Sequence, residues 1–145
     1  GGTKSPAQME FGNIIQLQDG EEVVFHVNRV DVDGAGSWVA NFISIKDNSG
    51  RKINIVLVNS TQVGISSFLP SFAVETGYFA VQYPAVYRIR KVGDTLKFLY
   101  NDTILHTADA ADSAGLNEIE IMMSAANETA KSLVEIQAIE VRESQ

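Results

Sequence analysis

The chain has 145 residues, a mass of 15.8 kDa and no cysteine, so disulfides and cysteine-based metal sites are excluded. Its apolar fraction of 45% and charged fraction of 20% describe a globular chain long enough to bury a core in one domain. The net charge of −7 is uneven: residues 1–101 carry 9 basic and 9 acidic side chains, residues 102–145 carry 2 and 9. An acidic C-terminal third argues against nucleic acid as a partner, because phosphate recognition needs clustered cations.

No apolar run approaches the ~20 residues of a membrane-spanning helix, so no transmembrane segment is expected in this chain. The chain opens on Gly1-Gly2 rather than methionine, which is the expectation for a trimmed or processed chain. Residues 1–8 read as a flexible lead-in, and 9–145 as a single β-sandwich domain.

Along the chain the dominant hydrophobic period is two, the period of strands with one buried face. Met9–Leu17 reads as a first strand. Glu22–Val30 follows, with Val23, Phe25 and Val27 on one face. "DVDGAG", 31–36, is expected as a loop because of its glycines. Trp38–Lys46 and Arg51–Val58 flank "DNSG" and read as a hairpin; the second strand is apolar on both faces toward its end. Gln62–Phe68 is a further strand. Ser71–Pro84 is irregular and aromatic.

"YRIRKVGDTLKFLYND", 87–102, alternates Tyr87 and Ile89 inward with Arg88 and Arg90 outward. It turns at Gly93, then resumes inward with Leu96, Phe98 and Tyr100. Asn101-Asp102 makes a tight turn, since both types tolerate positive φ, and Thr103–Thr107 returns as the third strand of a meander. "ADAADSAG" is a small-residue connection with room for one helical turn. In Asn117–Ser124, Ile119 and Ile121 point in, Glu118 and Glu120 out. The last segment, Ser132–Arg142, fits a helical stripe or a strand. Its β-branched content favours a strand whose phase slips once near Ala138, as at a bulge. About ten short strands with regular turn signals predict an all-β fold, an antiparallel two-sheet sandwich.

"YRIRKVGDTLKFLYNDTILHT", 87–107, resembles the central meander of concanavalin A-like lectin/glucanase domains, including the laminin G-like ones. The close, "SLVEIQAIEVRE", resembles their last strand, and "SWVANFISI", 37–45, resembles an early one. The resemblance implies a jelly-roll sandwich of the kind found in extracellular or periplasmic bacterial proteins that handle glycans, and hence a secreted, periplasmic or cell-surface location. It leaves the activity open, because the fold hosts lectins, glycosidases and interaction modules.

Several residue sets have chemistry to offer. Glu118 and Glu120 put two carboxylates on one strand face about 6–7 Å apart, a separation used by glycosidase acid pairs. They resemble part of the Glu-x-Asp-x-x-Glu strand of laminarinase-like glucanases, although the third acidic position is Met123. Asp31 and Asp33 offer oxygen ligands for calcium, but Phe42 stands where an EF-hand needs its twelfth-position glutamate. His26 and His106 lie alone on separate strands, and neither a catalytic triad nor a histidine metal site can be assembled. "GAG", 34–36, lacks the lysine and helix of a phosphate loop.

Trp38, Tyr78 and Tyr83 are flat aromatics able to stack on the C–H faces of sugars; the competing fate of such rings is the core, and Tyr87 alternates with core residues. Arg88 and Arg90, with Lys91 and Lys97, suit a carboxylated or sulfated glycan or a wet sheet face. The expectation is a non-catalytic carbohydrate-binding or adhesion-type module whose partner is a glycan or cell-surface polysaccharide, with no cofactor and no metal; Asp31 and Asp33 are the candidate ligands for calcium, against the competing reading of a polar turn. The alternatives are a glycoside hydrolase-like domain using Glu118 and Glu120, or a structural protein-interaction module. The oligomeric state is not legible.

Overall fold

The computed structural model describes residues 3–4, 14–33, 40–125 and 131–144, with side chains described for 15–32, 41–121 and 133–144. Among these residues the strands are β1 (Thr3–Lys4), β2 (Ile14–Gln16), β3 (Glu21–Asp33), β4 (Ala40–Lys46), β5 (Lys52–Asn59), β6 (Gln62–Phe68), β7 (Phe72–Val74), β8 (Phe79–Ala80), β9 (Ala85–Val92), β10 (Thr95–Tyr100), β11 (Thr103–Ala108), β12 (Glu118–Ala125) and β13 (Lys131–Glu143). A single helical turn, α1 (Ala110–Ser113), lies between β11 and β12. Asp109 caps it by accepting a hydrogen bond from the Asp112 backbone N–H at 3.0 Å.

The strands form two antiparallel sheets. One has six strands in the order β1-β13-β3-β9-β10-β11; the other has seven, with β2-β12-β4-β5-β6-β7 in order and β8 also paired to β6. This is the concanavalin A-like jelly-roll sandwich. Sequence alternation dictates its core. Val23, Phe25, Tyr87, Ile89, Leu96 and Phe98 of the six-stranded sheet meet Ile43, Ile45, Ile53, Ile55, Leu57, Ile65 and Ile119 of the seven-stranded sheet, all essentially inaccessible. Each such Ile or Phe stabilises the fold by about 1.5–3 kcal/mol relative to exposure, so a one-residue slip that exposed a strand's apolar set is strongly disfavoured.

Most expected elements stand where the pattern put them. Asn101 has φ 50° and Gly93 φ 59°, as their turns require. β5 is buried on both faces except at its ends. The last segment is a strand, and its pairing with β3 shifts register on either side of Ile136, two residues before Ala138. Thr3–Lys4, inside the expected lead-in, pairs with Glu140 and Ile139 of β13. Of Met9–Leu17, only Ile14–Gln16 is described as strand.

One expectation is corrected. Asp31, Val32 and Asp33, read as the start of a loop, continue β3 because Lys131, Ser132 and Leu133 pair with them. Gly34–Gly36 lie outside the described residues.

Candidate functional site: the outer faces of the two sheets

Cross-strand register defines the outer face of the seven-stranded sheet. Gln16, Glu118, Lys46, Lys52, Phe68 and Phe72 are successive partners on β2, β12, β4, β5, β6 and β7. Directly opposed residues share a face, so these six side chains form one row across the sheet. Two residues along, Glu120, Ser44, Asn54, Ser66 and Val74 form a parallel row. The residues between the rows, Ile119, Ile45 and Ile53, point into the core.

The second row has a hydrogen-bonded centre. The Ser44 hydroxyl donates to Asn54 Oδ1 at 2.5 Å, and Asn54 Nδ2 donates to Ser66 Oγ at 3.1 Å. All three residues are buried although they sit on the outer face, so they make a rigid polar floor rather than a wet fringe. Beside this floor Lys46 Nζ donates to Glu120 Oε2 at 3.2 Å, and Gln16 Nε2 lies 3.5 Å from Glu118 Oε1.

A depression of about 460 Å³ opens here, lined by Lys46, Lys52, Glu118, Glu120 and the turn from Asp47 to Gly50. That turn is fixed from below. Asp47 Oδ1 accepts from the Ser49 N–H at 2.8 Å, the Ser49 hydroxyl at 2.9 Å and the Arg51 N–H at 3.1 Å. Burial pushes the Asp47 carboxyl up, but the Ser49 hydrogen bonds and Arg51 outweigh it and hold its pKa below the ordinary value. Arg51 in turn donates to the carbonyls of Ala111, Asp112 and Ala114, tying the turn to α1.

At the far end of the first row the face becomes apolar. Phe68 is 44% exposed and Phe72 61%, with Val74 exposed two residues along β7. From β12 to β7 the face spans about 19 Å, at about 4.8 Å per strand.

The outer face of the six-stranded sheet differs. Arg142, Glu22 and Arg90 are successive partners on β13, β3 and β9. The Glu22 carboxylate, 4% exposed, accepts from Arg90 Nε at 3.1 Å and from Arg142 Nε at 2.8 Å. Burial raises the Glu22 pKa, and the hydrogen bonds and charges of Arg142 and Arg90 more than reverse it, so it lies below 4.5. Arg88 stands two residues along β9, with its Nη2 donating to the Asn101 carbonyl at 2.7 Å and to Asp102 at 3.0 Å. Lys91 turns away and donates to the Leu116 carbonyl at 3.0 Å.

The structure places the ligand-contact candidates offered by the sequence on different parts of the sandwich. Arg88 and Arg90 face outward from the six-stranded sheet. Tyr78 is exposed beside β8, which belongs to the other sheet. Tyr83 is half-buried, its hydroxyl 2.7 Å from that of Tyr87, and the Tyr87 ring packs on Tyr83, Tyr100 and, edge-on, Phe42. Burial pushes the Tyr83 pKa up to about 12 and that of Tyr87 higher still. Trp38 lies outside the described residues.

Asp31 forms an ion pair with Arg29, the Asp33 side chain lies outside the described set, and among the described residues no group of three or more His, Cys, Asp or Glu gathers. His26 Nε2 lies 3.0 Å from Glu140 Oε2, and His106 packs against Phe98. Glu118 and Glu120 do share one depression. Phe68, Phe72, Lys46, Lys52 and the Ser44–Asn54–Ser66 floor were not singled out from sequence. The outward phase of Phe68, one residue past the inward series Val63, Ile65, Ser67, was the available signal.

No protein-family profile matches the chain, and no curated protein matches it in sequence. Solved structures do share its fold. A point variant of the GH43 protein BlXynB from Bacillus licheniformis superposes with a TM-score of 0.66 at 9% identity, covering 86% of this chain and 27% of that one. The chain thus spans about a quarter of that protein's length. Galectin LEC-6 of Caenorhabditis elegans gives a TM-score of 0.55 at 11% identity, covering 90% of each chain. The Crh5 transglycosylase gives 0.58 at 12% identity, covering 99% of this chain and 72% of that one. At these identities the likeness identifies the fold, a concanavalin A-like jelly roll.

Proposed function

We propose that the chain is a non-catalytic carbohydrate-binding module, and that its ligand lies across the strands on the outer face of the seven-stranded sheet. The observation that carries this reading is the composition of that face. Exposed Phe68 and Phe72 stand at one end, and a depression lined by Lys46, Lys52, Glu118 and Glu120 at the other, with the buried, hydrogen-bonded Ser44, Asn54 and Ser66 in the adjacent row. A pyranose offers an apolar C–H face and a rim of hydroxyls. Aromatic rings take the first; carboxylates and ammonium groups, able to accept and donate, take the second. A face of about 19 Å leaves room for a short oligosaccharide rather than a single ring.

Supporting it, the structures that share the fold include galectins and a transglycosylase solved in complex with NAG. A secreted, periplasmic or surface-held setting in a bacterial protein belongs to the same proposal. Tyr78, 45% exposed on the segment leading into β8, is the sequence-derived aromatic best suited to add a ring contact.

The test is a glycan array followed by calorimetry on the best binder. Phe72→Ala and Phe68→Ala should each weaken binding about tenfold, equivalent to about 1.4 kcal/mol. Unchanged affinity in both, or no glycan bound at all, contradicts the reading.

A second reading has one specific observation behind it: Glu118 and Glu120 line the same depression, so a glycoside-cleaving pair is the alternative. Against it, Glu120 is held by Lys46 in an ion pair. Reducing-sugar release from β-glucans, abolished in Glu118→Gln and Glu120→Gln, would establish cleavage. Release unchanged in both variants would exclude the two carboxylates.

A further inference from the structure

We infer that the outer face of the six-stranded sheet carries a second, separate site, for a tetrahedral oxyanion: sulfate, phosphate or a sulfate ester, held by Arg88, Arg90 and Arg142 around Glu22. This does not rest on the glycan reading above, since it concerns the opposite sheet.

A depression of about 420 Å³ is lined by these four residues alone. Three guanidinium groups face one carboxylate, which leaves local positive charge on a chain whose net charge is −7. Lys97 extends the row as the cross-strand partner of Arg90. The carboxylate does not consume the donors that matter. Both Arg90 and Arg142 reach Glu22 through Nε, an arrangement in which Glu22 orients the two guanidinium planes. Their Nη groups have no hydrogen-bond partner among the described residues.

Arg88 is the third arginine of the lining. Its Nε is buried and has no hydrogen-bond partner, a costly state for a charged donor. Counter-charges exist but are engaged elsewhere: Asp102, fully exposed, meets Arg88 through Nη2, and Glu140, in the neighbouring row of β13, meets His26. Arginine forks present paired N–H donors to anionic oxygens, and three of them around one depression suit an anion with several oxygens better than a single carboxylate.

The experiment measures binding to the intact chain at fixed ionic strength. Sodium sulfate and sodium phosphate replace sodium chloride in calorimetry and in 15N-HSQC titrations, with dextran sulfate and neutral dextran as further arms. Sulfate or phosphate should saturate and shift the Arg88, Arg90 and Arg142 side-chain resonances, and chloride should not. Arg142→Gln and Arg88→Gln should each weaken that binding about tenfold. Glu22→Gln, which removes the negative charge while keeping an oxygen to orient the two guanidinium planes, should tighten it, a result that a merely structural cluster would not give.

Dextran sulfate bound with the same dependence on Arg142 would identify sulfate esters on a polymer as the source. Binding of the inorganic ions alone would identify a free anion. Shifts that do not saturate or that chloride reproduces, or affinity unchanged in both arginine variants, would overturn the site. Phe72→Ala, on the opposite sheet, should leave oxyanion binding untouched whether or not the glycan reading holds.

Discussion

The two sheets share one core and carry different outer faces. The seven-stranded sheet sets exposed phenylalanines and mixed charge beside a buried hydrogen-bonded row. The six-stranded sheet sets three arginines around a single buried glutamate. The inner faces have one task, excluding water, and any well-packed set of Ile, Val, Leu and Phe performs it. The outer faces are released from that task by the pleat itself, which turns every second side chain away from the core. Function therefore has to be sought in the residues the core does not need, and the two faces offer different chemistry.

The largest effect should come from attacking what the two faces share. Phe98→Ala removes a fully buried ring from between the sheets and should cost about 3–5 kcal/mol in urea denaturation. An effect below about 1 kcal/mol would mean that the core does not couple the sheets as described.

Next in size is Glu22→Gln, which acts on the arginine face alone. Losing hydrogen bonds to two arginines should cost about 1.5–3 kcal/mol at neutral pH. Because the folded pKa of Glu22 is lowered, its contribution is present above its ordinary value of 4.5 and disappears as pH falls through the folded value. The stability gap between wild type and Glu22→Gln should therefore close as pH drops below about 4.5. A gap independent of pH would contradict the pairing.

The tyrosine cluster behaves in the opposite sense. The folded pKa values of Tyr83 and Tyr87 are raised above 10, so the unfolded chain loses these protons first. Stability should fall as pH rises above 10, and ultraviolet titration of the folded chain at pH 11 should leave these two of its four tyrosines protonated. The smallest stability change belongs to the other face: Phe72→Ala, 61% exposed in the wild type, should alter folding by no more than about 0.5 kcal/mol while weakening glycan binding.

The alternation of Tyr87, Ile89, Leu96 and Phe98 makes the sandwich legible in the sequence, and the phase slip near Ala138 is visible as a break in β-branched alternation. Asn101 was legible because few residue types accept positive φ. The strand ending at Asp33 was not. Gly34 and Gly36 are turn signals, and they were outweighed by pairing with Lys131–Leu133, almost a hundred residues away in sequence. The same distance hid the sites. Arg90 was conspicuous in its own strand, but its partner Glu22 lies 68 residues away along the chain, and Arg142, the other arginine on that carboxylate, lies 120 residues from Glu22. Only strand order brings β13, β3 and β9 side by side. Likewise Lys46, Lys52 and Phe68 are ordinary in their own strands and acquire meaning as one row across the sheet. Local pattern reports which way a side chain faces; neighbours on a sheet are a property of topology.

Chemical-shift mapping of an isotopically labelled chain with the tightest-binding glycan asks most plainly where the sugar sits. The amide and side-chain signals of Lys46, Lys52, Phe68, Phe72 and Glu118 should move together, with those around Arg90 and Arg142 unmoved by a neutral glycan. Perturbations confined to the arginine face, or spread over neither face, would show that the outer surface of the seven-stranded sheet is not where this chain meets carbohydrate.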